Sequence, residues 1–130
     1  MSYYFNKVLA SNSFEDAIEQ VTGELKKEGF GVLTEIDVKE TLKKKIDVDF
    51  RKYKILGACN PHFAYKALSK EAKIGVFLPC SVIVEENENG EIEVSAVDPI
   101  ASMLAVKNEE LGSLAAEVQQ KLKQVIENLK

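Results

Sequence analysis

The sequence predicts an α+β fold: a five-stranded, largely antiparallel sheet with helices packed on one face. Three observations carry this. Strand-like and helix-like segments interleave along the chain, and two of the strands, residues 74–86 and 91–97, are adjacent in sequence. Those two are joined across Asn89-Gly90, a dipeptide suited to a two-residue hairpin because both turn positions need positive φ. Two long helical segments, 14–28 and 109–129, each carry a single apolar stripe and therefore have one face to bury.

The elements follow in order. Residues 2–10 (SYYFNKVLA) are aromatic and branched, as a strand requires. Ser13 opens the first helix with Asp16 three residues on, and Phe14, Ala17, Ile18, Val21 and Leu25 recur at helical spacing. Lys26, Lys27 and Gly29 close it. Residues 30–37 alternate as a second strand, with Phe30, Val32, Thr34 and Ile36 on one face. A lysine-rich segment, 38–46, reads as a short exposed helix, and 53–59 (YKILGAC) as the third strand. Asn60-Pro61 combines a favoured N-cap with a favoured first helical residue and opens a helix that buries Phe63, Ala64, Ala67 and Leu68 and ends near Lys70. Asp98-Pro99 repeats the device for a short helix through about Val106. Asn108 caps the last helix, whose stripe runs from Leu111 through Leu114, Ala115 and Val118 to Leu129. No repeat or linker divides residues 1–130, so the chain reads as a single domain.

Composition limits the chemistry. The chain has 130 residues, a formal net charge of −4, one histidine (His62), one arginine (Arg51), two cysteines (Cys59 and Cys80) and no tryptophan. Such a length buries about two-thirds of the unfolded surface without a disulfide or metal staple. Within one chain the inventory excludes a Cys₄ or Cys₂His₂ zinc site, a multi-histidine centre and any site needing two arginines. The N-terminus shows no secretory pattern, and the longest nearly apolar run, 74–84, is too short for a membrane span and is broken by Pro79. A cytoplasmic location with free thiols is expected, and no membrane partner. A pI near 5.1 argues against nucleic acid as a partner. Between Lys39 and Lys54 seven basic residues face three acids, but nearly all are lysines, which leaves bidentate recognition few donors; the segment reads as a solvated face. Glu85, Glu86, Glu88, Glu91 and Glu93 read as a charged hairpin surface, without the oxygen spacing of a calcium loop. There is no nucleophile elbow, P-loop or G-x-G-x-x-G, and no cofactor is expected.

Two short stretches remain: Cys59-Asn60-Pro61-His62 and Leu78-Pro79-Cys80. Cys59 falls just before a helix, whose positive end favours a thiolate, and His62 falls in that helix's first turn. Cys80 follows Pro79 in a strand whose alternation groups it with Leu78, Val82 and Val84. If the third and fourth strands are neighbours, the two sulfurs meet at one end of the sheet. The candidate site is therefore Cys59, Asn60, Pro61, His62, Pro79 and Cys80. A metal, if there is one, would use Cys59, Cys80 and His62 as a soft site. The plain alternative is that both cysteines are small buried apolar residues.

The stretches KILGACNPHFAYKAL, IGVFLPCSVIVEE and NGEIEVSAVDP, preceded by GFGVLTEIDVKETLKKK, resemble the bacterial and archaeal family catalogued as domain of unknown function 302 over about residues 29–105. Ser81 departs from the asparagine expected after the second cysteine. The resemblance implies a β-α-β₄-α core of the TATA-binding-protein-like fold class with extra short helices, and a homodimer. It implies no activity and no catalytic residues, and fold alone carries no DNA binding. Three readings follow: a small-molecule binding or sensing module centred on the two cysteine-proline turns, a thiol-redox or soft-metal protein using Cys59 and Cys80, and an interaction domain without small-molecule chemistry.

Overall fold

The computed structural model describes residues 2–10 and 13–130. The strands are β1 (Tyr4–Leu9), β2 (Gly31–Asp37), β3 (Tyr53–Cys59), β4 (Cys80–Glu86) and β5 (Ile92–Val97). The helices are α1 (Phe14–Lys27), α2 (Val38–Ile46), α3 (Pro61–Lys70), α4 (Pro99–Ser102) and α5 (Gly112–Asn128). Two 3₁₀ segments, Ala72–Phe77 and Glu109–Leu111, complete the order. The sheet runs β1-β5-β4-β3-β2, and every neighbouring pair is antiparallel.

The predicted architecture is the one observed. Period-two alternation puts Leu56, Val82, Ala96 and Phe5 in one row across the sheet, on the face covered by α1 and α5. Val21 and Leu25 of α1 and Leu122 and Val125 of α5 complete that core, all fully buried. Ser13 accepts from the Asp16 N–H, so the predicted start of α1 is a side-chain cap. Lys7 reaches from β1 to donate to the carbonyls of Glu127 and Leu129, satisfying the C-terminal end of α5. The opposite face of the sheet is uncovered and carries Tyr4, Asn6 and Val8 on β1 and Ile36 on β2.

Several local readings need correction, among them Leu68 of α3, which is exposed instead of buried. Residues 74–77 do not belong to a strand; they lie in a 3₁₀ segment, and β4 begins at Cys80. Gly75 and the following Pro79 interrupt the run, while Ile74 is buried in a small second cluster with Ala67 and Leu111. A bulge between Val32 and Thr34 shifts the phase of β2. Val32 therefore packs on the core, while Thr34 and Ile36 sit on the open face. The hairpin is longer than two residues. Gly90 alone has positive φ, its N–H donates to Asn87, and Asn87 N–H donates to Glu91, giving a turn closed by a left-handed glycine. Finally, α4 stops at Ser102 instead of about Val106, and the segment 109–111 is 3₁₀ before α5 begins.

Candidate functional site

The register pairs Ala58 with Cys80 on adjacent strands, which brings Cys59 and Cys80 to the same end of the sheet. There β3 turns into α3 through Asn60-Pro61, and β4 emerges from the cis Leu78–Pro79 peptide. Between these two turns and α5 lies a pocket of about 50 Å³. Ala58 and Phe30 line it from the sheet side, and Phe63, Ala64 and Ala67 from α3. Leu114, Ala115 and Val118 of α5 face them, with Met103 at the side. No charged residue lines it; besides the two thiols, Asn60 is its one polar side chain.

Cys59, Asn60, Pro79 and Cys80 are thus brought together, as the sequence predicts. Pro61 and His62 are not. Both are exposed in the first turn of α3, outside the pocket lining. Among the described residues no three histidine, cysteine or acidic side chains cluster as a metal site, so Cys59, Cys80 and His62 do not form the three-ligand arrangement. Both cysteines are free thiols. Burial, and secondarily the neighbouring Cys59, pushes the Cys80 thiol up to about 11, so it is protonated at neutral pH. That chemistry is opposite to what a reactive thiolate needs.

Asn60 departs from expectation in a more informative way. It stands at the N-cap of α3, yet its side chain makes no cap hydrogen bond. Its Nδ2 instead donates to the Glu28 carbonyl at 3.4 Å. This contact fixes which way the amide points, since a flipped amide would set two carbonyl oxygens against each other. The residue is 8% exposed, and its Oδ1 is buried without any partner. Such orphaned acceptors are rare, because leaving one unmade costs about 1–3 kcal/mol.

Sequence reasoning missed the rest of the lining: Phe30 and Ala58 on the sheet side, the α3 and α5 walls, and Leu78, Pro99, Met103 and Leu111. The stripe from Leu114 to Val118 reads as ordinary core, and nothing in its spacing distinguishes a pocket wall from packed interior. The one hint is the small size of Ala64, Ala67 and Ala115, which leaves room between α3 and α5.

Fold and site together define a small α+β protein with a five-stranded antiparallel sheet, helices on one face and an uncharged pocket at one sheet end. The chain belongs to the family described as domain of unknown function DUF302, whose model matches residues 6–129. It is also similar to an uncharacterized conserved DUF302 protein from Bacillus stearothermophilus, known from its crystal structure, at 29% identity and a TM-score of 0.91 over 100% of both chains. No curated protein matches.

Proposed function

We propose that this protein is a small-molecule binding or sensing module whose site is the pocket between the Cys59-Asn60 turn, the Pro79-Cys80 turn and α5. The observation that carries the reading is an uncharged, apolar pocket at the meeting of the two turns, with Asn60 as the one amide side chain in its lining. Ligand sites are commonly apolar clefts with a few placed polar groups, and this one has that composition. Its present volume, about 50 Å³, suits a molecule of a few heavy atoms. The thiol reading is less well supported, because Cys80 is held protonated and His62 lies outside.

Xenon tests the pocket without presupposing a ligand. Under xenon pressure, methyl resonances of Ala58, Ala64, Ala67 and Ala115 are expected to shift, while those of the core residues Ala17 and Ala96 hold. Absence of shifts at the first four would overturn the reading.

The same proposal includes association as a homodimer in the cytoplasm. Supporting the dimer is the uncovered sheet face, where Tyr4, Val8 and Ile36 are each exposed by 43–50%. Supporting the compartment are the two free thiols; no helix among the described residues is long and apolar enough to cross a membrane. Light scattering that finds only monomer at every accessible concentration removes the dimer.

A further inference from the structure

We infer that the pocket takes an uncharged, apolar molecule larger than its closed volume, admitted when α3 and the 3₁₀ segment after it, residues 61–77, swing off Leu111 as a lid. This rests on the pocket reading above and adds the class of the ligand and its way in.

The two walls of the pocket are held very differently. Phe30, Ala58 and Cys80 on one side belong to the main core that the sheet shares with α1 and α5. Phe63, Ala64 and Ala67 on the other side belong to α3. Across residues 61–77 only Ala67 and Ile74 are buried, and they meet Leu111 in a separate cluster of three. Ile74 is therefore the one large side chain that the lid buries, while Tyr65, Leu68, Val76 and Phe77 are exposed. A segment with so little buried apolar contact opens before the core does.

A polar latch completes its attachment. Asn108 donates from Nδ2 to the Lys70 carbonyl at 3.0 Å and to Glu71 Oε1 at 3.2 Å. Among the described residues, these are the lid's hydrogen bonds to the body of the fold beyond its own two ends. The Oδ1 of the same residue accepts from the Glu110 N–H. One asparagine thus caps the 3₁₀ turn before α5 and clasps the C-terminal end of α3.

Size and charge set the class of ligand. The closed pocket, about 50 Å³, is far smaller than the roughly 300–1,000 Å³ of ordinary ligand sites. A molecule of more than a few heavy atoms needs one wall to move, and the lid is the wall with least to lose. No charged side chain lines the pocket, so an ion entering it would shed its hydration with nothing to replace it.

N-Phenyl-1-naphthylamine, uncharged and fluorescent in apolar surroundings, is the probe, and 8-anilinonaphthalene-1-sulfonate is its anionic counterpart on the same skeleton. Titrated into the full-length protein, the amine is expected to shift the methyls of Ala64, Ala67 and Ala115 and to bind at least fivefold more tightly than the sulfonate. Asn108→Asp keeps an acceptor for the Glu110 N–H but sets a carboxylate against Glu71 in place of the donating amide. A looser lid raises the open population, and the apparent affinity rises in proportion. The amine should therefore bind this variant at least threefold more tightly, while xenon, which fits the closed pocket, gains less than twofold. Ile74→Ala predicts the same split and serves if the first variant does not fold. Unchanged amine affinity in the variant overturns the lid and leaves the pocket reading standing, as does an amine that leaves the pocket methyls unmoved while xenon shifts them. Sulfonate binding as tightly as the amine overturns the class of ligand. Silence of those methyls to xenon and amine alike overturns both readings.

Discussion

A Cβ built on Gly29 would lie 3.0 Å from Nδ2 of Asn60, so the turn after α1 and the start of α3 are fitted to one another through a missing side chain. Gly29 also has φ of +86°, a conformation L side chains rarely adopt. Gly29→Ala therefore meets two obstacles, backbone strain and pressure on the Asn60 amide. A loss of about 1–2 kcal/mol is expected, read as a lower urea midpoint at unchanged slope. Pressure on the amide predicts in addition a shift of the Asn60 side-chain NH₂ resonances. A change in stability that leaves those resonances in place would assign the whole effect to the backbone.

Gly57 presents a steeper case on the open side of β3. An added Cβ would fall 2.2 Å from Thr34 Oγ1 and 2.8 Å from Pro79 Cγ. Gly57→Ala is expected to destabilise by about 1–3 kcal/mol, the range for overpacking a filled site. Thr34→Ala removes one of the two obstructions, so the double variant should recover part of the loss. A double-mutant cycle measures this directly; strictly additive effects would show that the strand shifts to admit the methyl without meeting Thr34.

These two glycines also show what the sequence made legible and what it did not. Element order, the helix starts at Ser13 and Asp98, and the convergence of Cys59, Asn60, Pro79 and Cys80 follow from local chemistry: caps, alternation and neighbouring strands. The bulge at Val32–Thr34 does not, because it belongs to the pairing of β2 with β3, where Thr34 comes to lie opposite Gly57, a relation between two strands. The unused cap at Asn60 is another nonlocal feature: its amide donates instead to the Glu28 carbonyl 32 positions earlier. The same holds for Ile74, drawn into a cluster with Leu111 instead of a strand. Proximity in sequence groups His62 with the thiols, whereas the first turn of α3 leaves it exposed.

Cys80 provides a pH-dependent prediction. Its thiol is raised in the folded chain from 9.0 to about 11, by burial first and by Cys59 second. The folded state thus holds a proton that the unfolded chain releases near its ordinary value. The associated stability is fully present below about pH 9 and is lost as pH rises toward 11. Denaturation between pH 8 and 11 should show this decline, and Cys80→Ala should flatten it relative to wild type. Alkylation by iodoacetamide at pH 8 is expected to modify Cys80 far more slowly in the folded chain than after unfolding. Comparable rates in the two states would contradict the burial argument.

Among the described residues two asparagines, Asn60 and Asn108, stand at the N-cap of a helical segment, and their substitution separates structural from functional use. Asn108 accepts from the Glu110 N–H at 3.0 Å and donates to the Lys70 carbonyl and to Glu71 at 3.0 and 3.2 Å. Its loss in Asn108→Ala should cost about 1–2 kcal/mol, the value of a working cap. Asn60 makes one long bond and leaves a buried acceptor unpaired. Removing that acceptor offsets the lost bond, because a buried polar atom without a partner is itself destabilising. Asn60→Leu is therefore expected to lie within about 1 kcal/mol of wild type, on the stabilising side if the pocket accepts the side chain. Such stability-neutral loss of a buried polar group marks a residue kept for something other than the fold. Thermal and urea denaturation of both variants decide the matter: a drop for Asn60→Leu as large as that for Asn108→Ala would make Asn60 a structural residue.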